Sequence, residues 1–104
     1  MAQVKVCDLW VRIEKEGPDA FRLQIGKKIF GRIIGVKSTF SRRGIEQAMQ
    51  ILRDGSGAMR VGDDTIEVRC HGENRVLKAR GKEAELTPAE VSRILAMARG
   101  VVTV

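Results

Sequence analysis

The stretch ELTPAEVSRILAMARG, Glu85 to Gly100, constrains the chain more than any other, because it declares a helix at both ends and carries one apolar stripe between them. Thr87 is a strong N-cap, and Pro88 suits the first helical position, whose N–H has no partner in any case. Glu90, three residues after the cap, completes a capping box, and Leu86 just outside it can staple onto Val91. Val91, Ile94, Leu95 and Ala98 fall at i, i+3, i+4 and i+7, with Ser92, Arg93 and Arg99 elsewhere on the wheel. Gly100 reads as the stop. The rest of the chain has to supply the surface that buries this stripe.

A second stretch repeats that register. Phe40 precedes Ser41 as Leu86 precedes Thr87, and Ile45, Ala48, Met49 and Leu52 match Val91, Ile94, Leu95 and Ala98 at a constant offset of 46 residues. Gly55 ends this helix, and Gly44 stands where the capping-box acid would be. Arg42 and Arg43 occupy its first turn, where positive charge opposes the helix dipole and an anionic partner would relieve the cost. Strand-like segments lead into both caps, so an internal ββ(β)α duplication is one reading; the shared stripe of all amphipathic helices is the other.

The remaining segments alternate with a period of two. Val4 and Val6 share one parity and Leu9, Val11 and Ile13 the other, which a bulge near Cys7 and Asp8 would reconcile within one strand, turning Trp10 and Arg12 to the opposite face. Glu16-Gly17-Pro18-Asp19 is turn chemistry, after which Phe21, Leu23 and Ile25 alternate with outward Arg22 and Gln24. Gly26-Lys27-Lys28 reads as the next turn, leading into IFGRIIGVK. That run is apolar on both parities and is therefore expected as a central strand. Gly55-Ser56-Gly57 is a joint. Met59 to Cys70 forms a hairpin across Gly62-Asp63-Asp64, and Arg75 to Arg80 a further strand after His71-Gly72-Glu73-Asn74. Val101, Val102, Thr103 and Val104 are β-prone and uncharged, and are expected to form an edge strand or to pair with a second subunit as a homodimer.

These segments predict one α+β domain over 1–104 in the order βββα-βββα(β): a mostly antiparallel sheet of about six or seven strands with both helices on one face. A chain of 104 residues with 43% hydrophobic and 31% charged residues can bury a modest core unaided. Its apolar runs are too short to cross a bilayer and MAQVKVCDLW lacks a signal-peptide core, so a cytoplasmic protein without membrane partners is expected. Cys7 and Cys70 are too few for a disulfide framework.

Catalytic and cofactor chemistry finds little support. Cys70 and His71 are adjacent, so on a strand they face opposite ways, and His71 is the only histidine. A zinc site from Cys7, Cys70 and His71 would lack paired Cys-x-x-Cys spacing, and Asp63-Asp64 between short strands reads as a turn. Eleven glycines form neither GxGxxG nor GxxxxGK[ST]. The expectation is a protein that is no enzyme and holds no metal or cofactor.

Charge is the positive signal. The net charge is +6, and between Asp19 and Glu46 there is no acid, while Arg22, Lys27, Lys28, Arg32, Lys37, Arg42 and Arg43 all lie there. Lys28, Phe30 and Arg32 on an exposed strand would place two cations around one ring, the arrangement that holds phosphates and stacks a base; Phe30 in the core is the alternative. No basic recognition helix stands out. The expected function is nucleic-acid binding, single-stranded or shape-based, through these seven bases and Phe30. The alternative is a protein-interaction module, an oligomeric subunit or inhibitor, docking the same strip on an acidic partner.

In layout, strands feeding a C-terminal helix through the Leu86-Thr87 cap of ELTPAEV, Arg75 to Ala98 resembles the single-strand-binding coactivator and Whirly-type proteins. It is a likeness of arrangement, from which no residue role is carried over.

Overall fold

Six two-residue loops set the architecture: Cys7–Asp8, Pro18–Asp19, Phe30–Gly31, Gly62–Asp63, Gly72–Glu73 and Arg80–Gly81. Loops this short return the chain antiparallel to itself, so each series of strands becomes a meander. The computed structural model describes residues 2–103. It contains β1 (Ala2–Val6), β2 (Leu9–Gly17), β3 (Ala20–Ile29) and β4 (Arg32–Phe40), then α1 (Arg42–Asp54). There follow β5 (Gly57–Val61), β6 (Asp64–His71), β7 (Asn74–Ala79) and β8 (Lys82–Leu86), then α2 (Pro88–Val102). The strands form two antiparallel sheets, β1-β2-β3-β4 and β5-β6-β7-β8, in place of the single sheet of six or seven strands expected.

Three missed turns account for much of that difference. Residues facing each other across a two-residue loop have opposite parity, as in Val6↔Leu9 and Ile29↔Arg32. The phase change near Cys7 is therefore a hairpin and not a bulge, with Cys7 in the left-handed region (φ 53°). IFGRIIGVK is apolar on both parities for the same reason: the chain reverses at Phe30–Gly31, and Gly26-Lys27-Lys28 lies within β3. Arg80–Gly81 likewise starts β8, which hydrophobic alternation alone did not separate from the approach to α2.

Each sheet turns one face inward. Val6, Val11, Ile13, Phe21, Leu23 and Val36 of the first sheet join Val61, Ile66 and Leu86 of the second in one buried cluster. The helices complete it with Ile45 and Leu52 from α1 and Val91, Ile94, Ala98 and Val102 from α2. The helices pack on each other; α1 also touches β3, β4 and β5, and α2 touches β1, β2, β7 and β8. Two apolar sheet faces and two stripes thus cover one another, which a single sheet with one helical layer would not achieve.

The N-cap of α2 forms as the sequence predicts. Thr87 N–H donates to Glu90 Oε1 at 2.9 Å, and Glu90 N–H donates back to Thr87 Oγ1 at 3.3 Å. Glu90 Oε2 also accepts from Cys7 N–H at 2.9 Å, tying the cap to the β1–β2 turn. These donors, the Thr87 N–H foremost, hold the Glu90 carboxyl below the usual carboxylate range. The far end departs from expectation. Gly100 is helical, Val101 and Val102 continue α2 with Val102 buried, and Thr103 is the C-cap, so these residues form no edge strand. Val104 lies outside the described residues. The preceding turns and the burial of Val102 against the core outweigh the local β-propensity of valine.

At the end of α1, Gly55 takes a left-handed conformation (φ 74°), and its N–H donates to Ile51 O at 2.9 Å. Arg75 closes the same terminus: Nε donates to Leu52 O at 3.2 Å and Nη2 to Arg53 O at 2.9 Å. A β-carbon on Gly55 would meet Cys70 Sγ and lie 2.5 Å from Arg75 Nε. Gly55→Ala is therefore expected to destabilise the protein by about 2 kcal/mol, from left-handed strain together with weakened Arg75 bonds. Urea denaturation checks this; an unchanged midpoint would contradict it.

Candidate nucleic-acid interface

Strand register places a basic surface on the outward face of β1–β4. Opposite Phe21, Leu23 and the other inward residues lie Lys5 on β1, Trp10, Arg12 and Glu14 on β2, Arg22, Gln24 and Lys28 on β3, and Lys37 and Thr39 on β4. Gln3, Arg12, Gln24 and Lys37 align as one row across all four strands. Five cations thus share this face with Glu14 and with Glu16, whose Oε1 accepts from Thr39 Oγ1 at 3.3 Å.

Trp10 sits within this field. The Lys28 ammonium lies 4.3 Å from its ring centroid, a cation–π contact that holds the charge on the sheet surface. In register beside Trp10 stand Gly26, which is buried, and then Gly35, which is exposed; neither offers a side chain. A β-carbon at Gly26 would run into the Ile34 carbonyl, so the close approach of β3 and β4 here requires glycine.

The second sheet treats its charges differently. Arg69 pairs with Glu83 at 3.2 Å, His71 with Glu85 at 3.0 Å, and Arg80 with Asp64 at 2.7 Å. Arg80 holds the Asp64 carboxyl below its ordinary range, and Asn74 and then His71 do the same for Glu85. Arg22, Lys28 and Lys37 belong to none of these pairs.

The seven bases and Phe30 singled out in the sequence occupy three places. Arg22, Lys28 and Lys37 lie on the outward face of β1–β4. Lys27 and Arg32 share the inward register, but on a part of the β3–β4 hairpin that runs past the core, where both are exposed. Phe30 is at the hairpin tip and fully exposed, at 102%. Arg42 and Arg43 stand at the opposite end of β4, at the start of α1. The Arg42 guanidinium lies 5.1 Å from the Phe21 ring centroid, so the side chain covers the core, while the Arg42 backbone N–H donates to Asp19 Oδ1 at 2.8 Å. Lys5, which clustering of bases in the sequence did not flag, shares this outward face, and strand parity was the signal that finds it.

The β3–β4 hairpin is longer than its counterpart in the second half. Second to third turn spans twelve residues in the first half (Pro18 to Phe30) and eight in the second (Gly72 to Arg80). Third turn to helix spans twelve (Phe30 to Arg42) and again eight (Arg80 to Pro88). The surplus is the exposed end, Lys27 to Ile34, which carries Lys27, Lys28 and Arg32 together with Ile29 (50% exposed) and Ile34 (56%). Beneath it opens an apolar cleft of about 850 Å³ between the two sheets, lined by Leu9, Ile25, Ile29, Ile34, Leu77 and Ala79 among others.

The cysteines and the histidine are engaged separately. Cys7 Sγ donates to Glu85 O at 3.1 Å, and burial followed by the Glu90 carboxylate pushes its thiol pKa up, away from the reactive thiolate. Cys70 Sγ lies 3.3 Å from Gly55 O. Among the described residues, no three His, Cys, Asp or Glu side chains gather as a metal site would need. No described helix is long and apolar enough to cross a membrane. No family model, curated protein or solved structure matches the chain.

Proposed function

We propose that this protein binds nucleic acid, without catalysis, on the outward face of β1–β4. The observation that carries the reading is the contrast between the two sheets: Lys5, Arg22, Lys28 and Lys37 gather on one open face, whereas three basic side chains of the second sheet, Arg69, His71 and Arg80, are matched by carboxylates. Cations held on a flat surface neutralise phosphates, and each contact releases condensed counterions. Gln3 and Gln24 in the same row present hydrogen-bonding groups suited to sugar and base edges, and Trp10 places an aromatic ring on the same face. An acidic protein face would meet the same cations, but the indole and the glutamines favour a polymer that has bases as well as charge.

The order of four strands and a helix occurs twice, with caps 46 residues apart. That order supports an internal duplication whose two copies differ in the pairing of their surface charges.

Fluorescence anisotropy with a labelled single-stranded oligonucleotide tests the proposal. Binding is expected at low salt, with log K falling against log salt at a slope of about −2 to −4, as three to five phosphate contacts to a single strand require. Trp10, the only tryptophan, should change its emission on binding. Absence of binding at low salt rejects the reading.

A further inference from the structure

We infer that the elongated β3–β4 hairpin is an arm that inserts the Phe30 ring between adjacent unpaired bases of the bound strand. The inference rests on the nucleic-acid reading above and adds to it the chemical feature recognised: the base, beyond the phosphate.

Three independent observations converge on Phe30. First, its side chain is fully exposed, whereas an aromatic ring of this size ordinarily hides most of its surface. Second, it occupies a costly backbone position. Phe30 (φ 50°) and Gly31 (φ 77°) are the two central residues of a hairpin loop with left-handed geometry at both, where asparagine or glycine is preferred and a bulky residue is strained. A residue that is both strained and uncovered contributes nothing to folding that a smaller one would not supply better, and strain of this kind clusters at functional positions. Third, the hairpin end carrying it is the eight-residue surplus over the matching hairpin in the second half. The matching loop, Arg80–Gly81, has the same left-handed geometry (φ 53° and 73°), but there Arg80 donates to both Asp64 oxygens, at 2.8 and 2.7 Å, and is tied down, whereas Phe30 is exposed.

The surroundings of Phe30 suit insertion into a strand. Lys27, Lys28 and Arg32 flank the tip and would hold the phosphates on either side of the separated bases. Ile29 and Ile34 give the arm an apolar shoulder behind the ring. Trp10 pairs with Gly26, four strand residues before Phe30, so the two aromatic positions stand roughly 13 Å apart along the arm. A strand crossing the outward face of β1–β4 would meet Trp10 and then the tip. Unpaired bases are the target because a ring enters between them without first opening a duplex.

The test compares an oligothymidine with an abasic strand of equal length and charge, using wild type, Phe30→Asn and Phe30→Trp. Asparagine suits the left-handed position, so Phe30→Asn should fold with an unchanged or higher melting temperature. Wild type is expected to bind the oligothymidine roughly tenfold tighter than the abasic strand. Phe30→Asn should lose most of that preference, keeping only what Trp10 contributes, with abasic affinity and salt slope unchanged, and Phe30→Trp should retain it. Equal wild-type affinity for the two strands, or a preference undiminished in Phe30→Asn, overturns the inference and leaves phosphate binding standing. Self-association of wild type that Phe30→Asn abolishes, read by light scattering without nucleic acid, also overturns it, because the tip would then meet a second copy. Wild type that binds neither strand defeats the nucleic-acid reading itself.

Discussion

Replacing Arg22, Lys28 and Lys37 together by glutamine is expected to lower affinity for a single-stranded oligonucleotide by roughly a hundredfold to a thousandfold near 50 mM salt. The three side chains lie on one outward face and join none of the ion pairs described for the second sheet, so each is available to a phosphate. On a single strand each contact contributes about 0.7 to the slope of log K against log salt, which at this salt is close to tenfold in affinity. The slope itself should therefore flatten by about 2. Folding should survive, because substitutions on an exposed face away from caps and core change stability by about 0.5 kcal/mol or less. Lys28→Gln also removes the ammonium from the Trp10 ring, so the emission of Trp10 should shift in the free protein. The matched control, Arg60, Arg69 and Lys78 to glutamine on the outward register of the second sheet, should leave the slope nearly unchanged. Equal losses in the two variants would show that net charge, and not this face, drives binding.

Phe21→Ala is expected to cost about 3 to 5 kcal/mol of folding stability. Phe21 is 0% exposed, stands in register between Lys15 and Phe40, and lies under the Arg42 guanidinium. Removing the ring opens a cavity where β3, β4 and the start of α1 meet, and strips Arg42 of its platform. A domain of this size has roughly 5 to 15 kcal/mol to lose, so the melting temperature should fall by at least about 12 °C. Urea denaturation followed by Trp10 fluorescence measures this, with an unchanged slope marking a pure loss of stability. A loss below about 1 kcal/mol would mean that the ring is not enclosed. The contrast with Phe30→Asn is sharp, since one phenylalanine holds the core and the other touches none of it.

Local grammar carried much of the fold. The α2 cap at Thr87, Pro88 and Glu90 formed as read, because capping depends on residues within one turn of each other. Ser41 and Gly55 bound α1 for the same reason. Inward parity in β2 and β3, with Val11, Ile13, Phe21 and Leu23 buried, was also legible, since alternation is a property of the strand alone. What failed was the interpretation of a parity change. At Cys7 and at Phe30 a two-residue loop and a bulge produce the same swap in sequence, and only cross-strand pairing tells them apart. Phe30–Gly31 was hard to read as a loop because phenylalanine is a poor occupant of its conformation.

The amino-acid order by itself determined where the helices begin, which residues of each strand share a face, and that positive charge is concentrated between Asp19 and Glu46, because each of these depends on neighbours along the chain. Tertiary structure alone decided that the strands divide into two sheets, that Val101 and Val102 finish a helix, and that Arg22, Lys28 and Lys37 face outward together while Arg42 is drawn over Phe21. Those outcomes rest on burying two apolar sheet faces and two helical stripes at once, an energy shared among residues far apart in sequence that no local propensity contains.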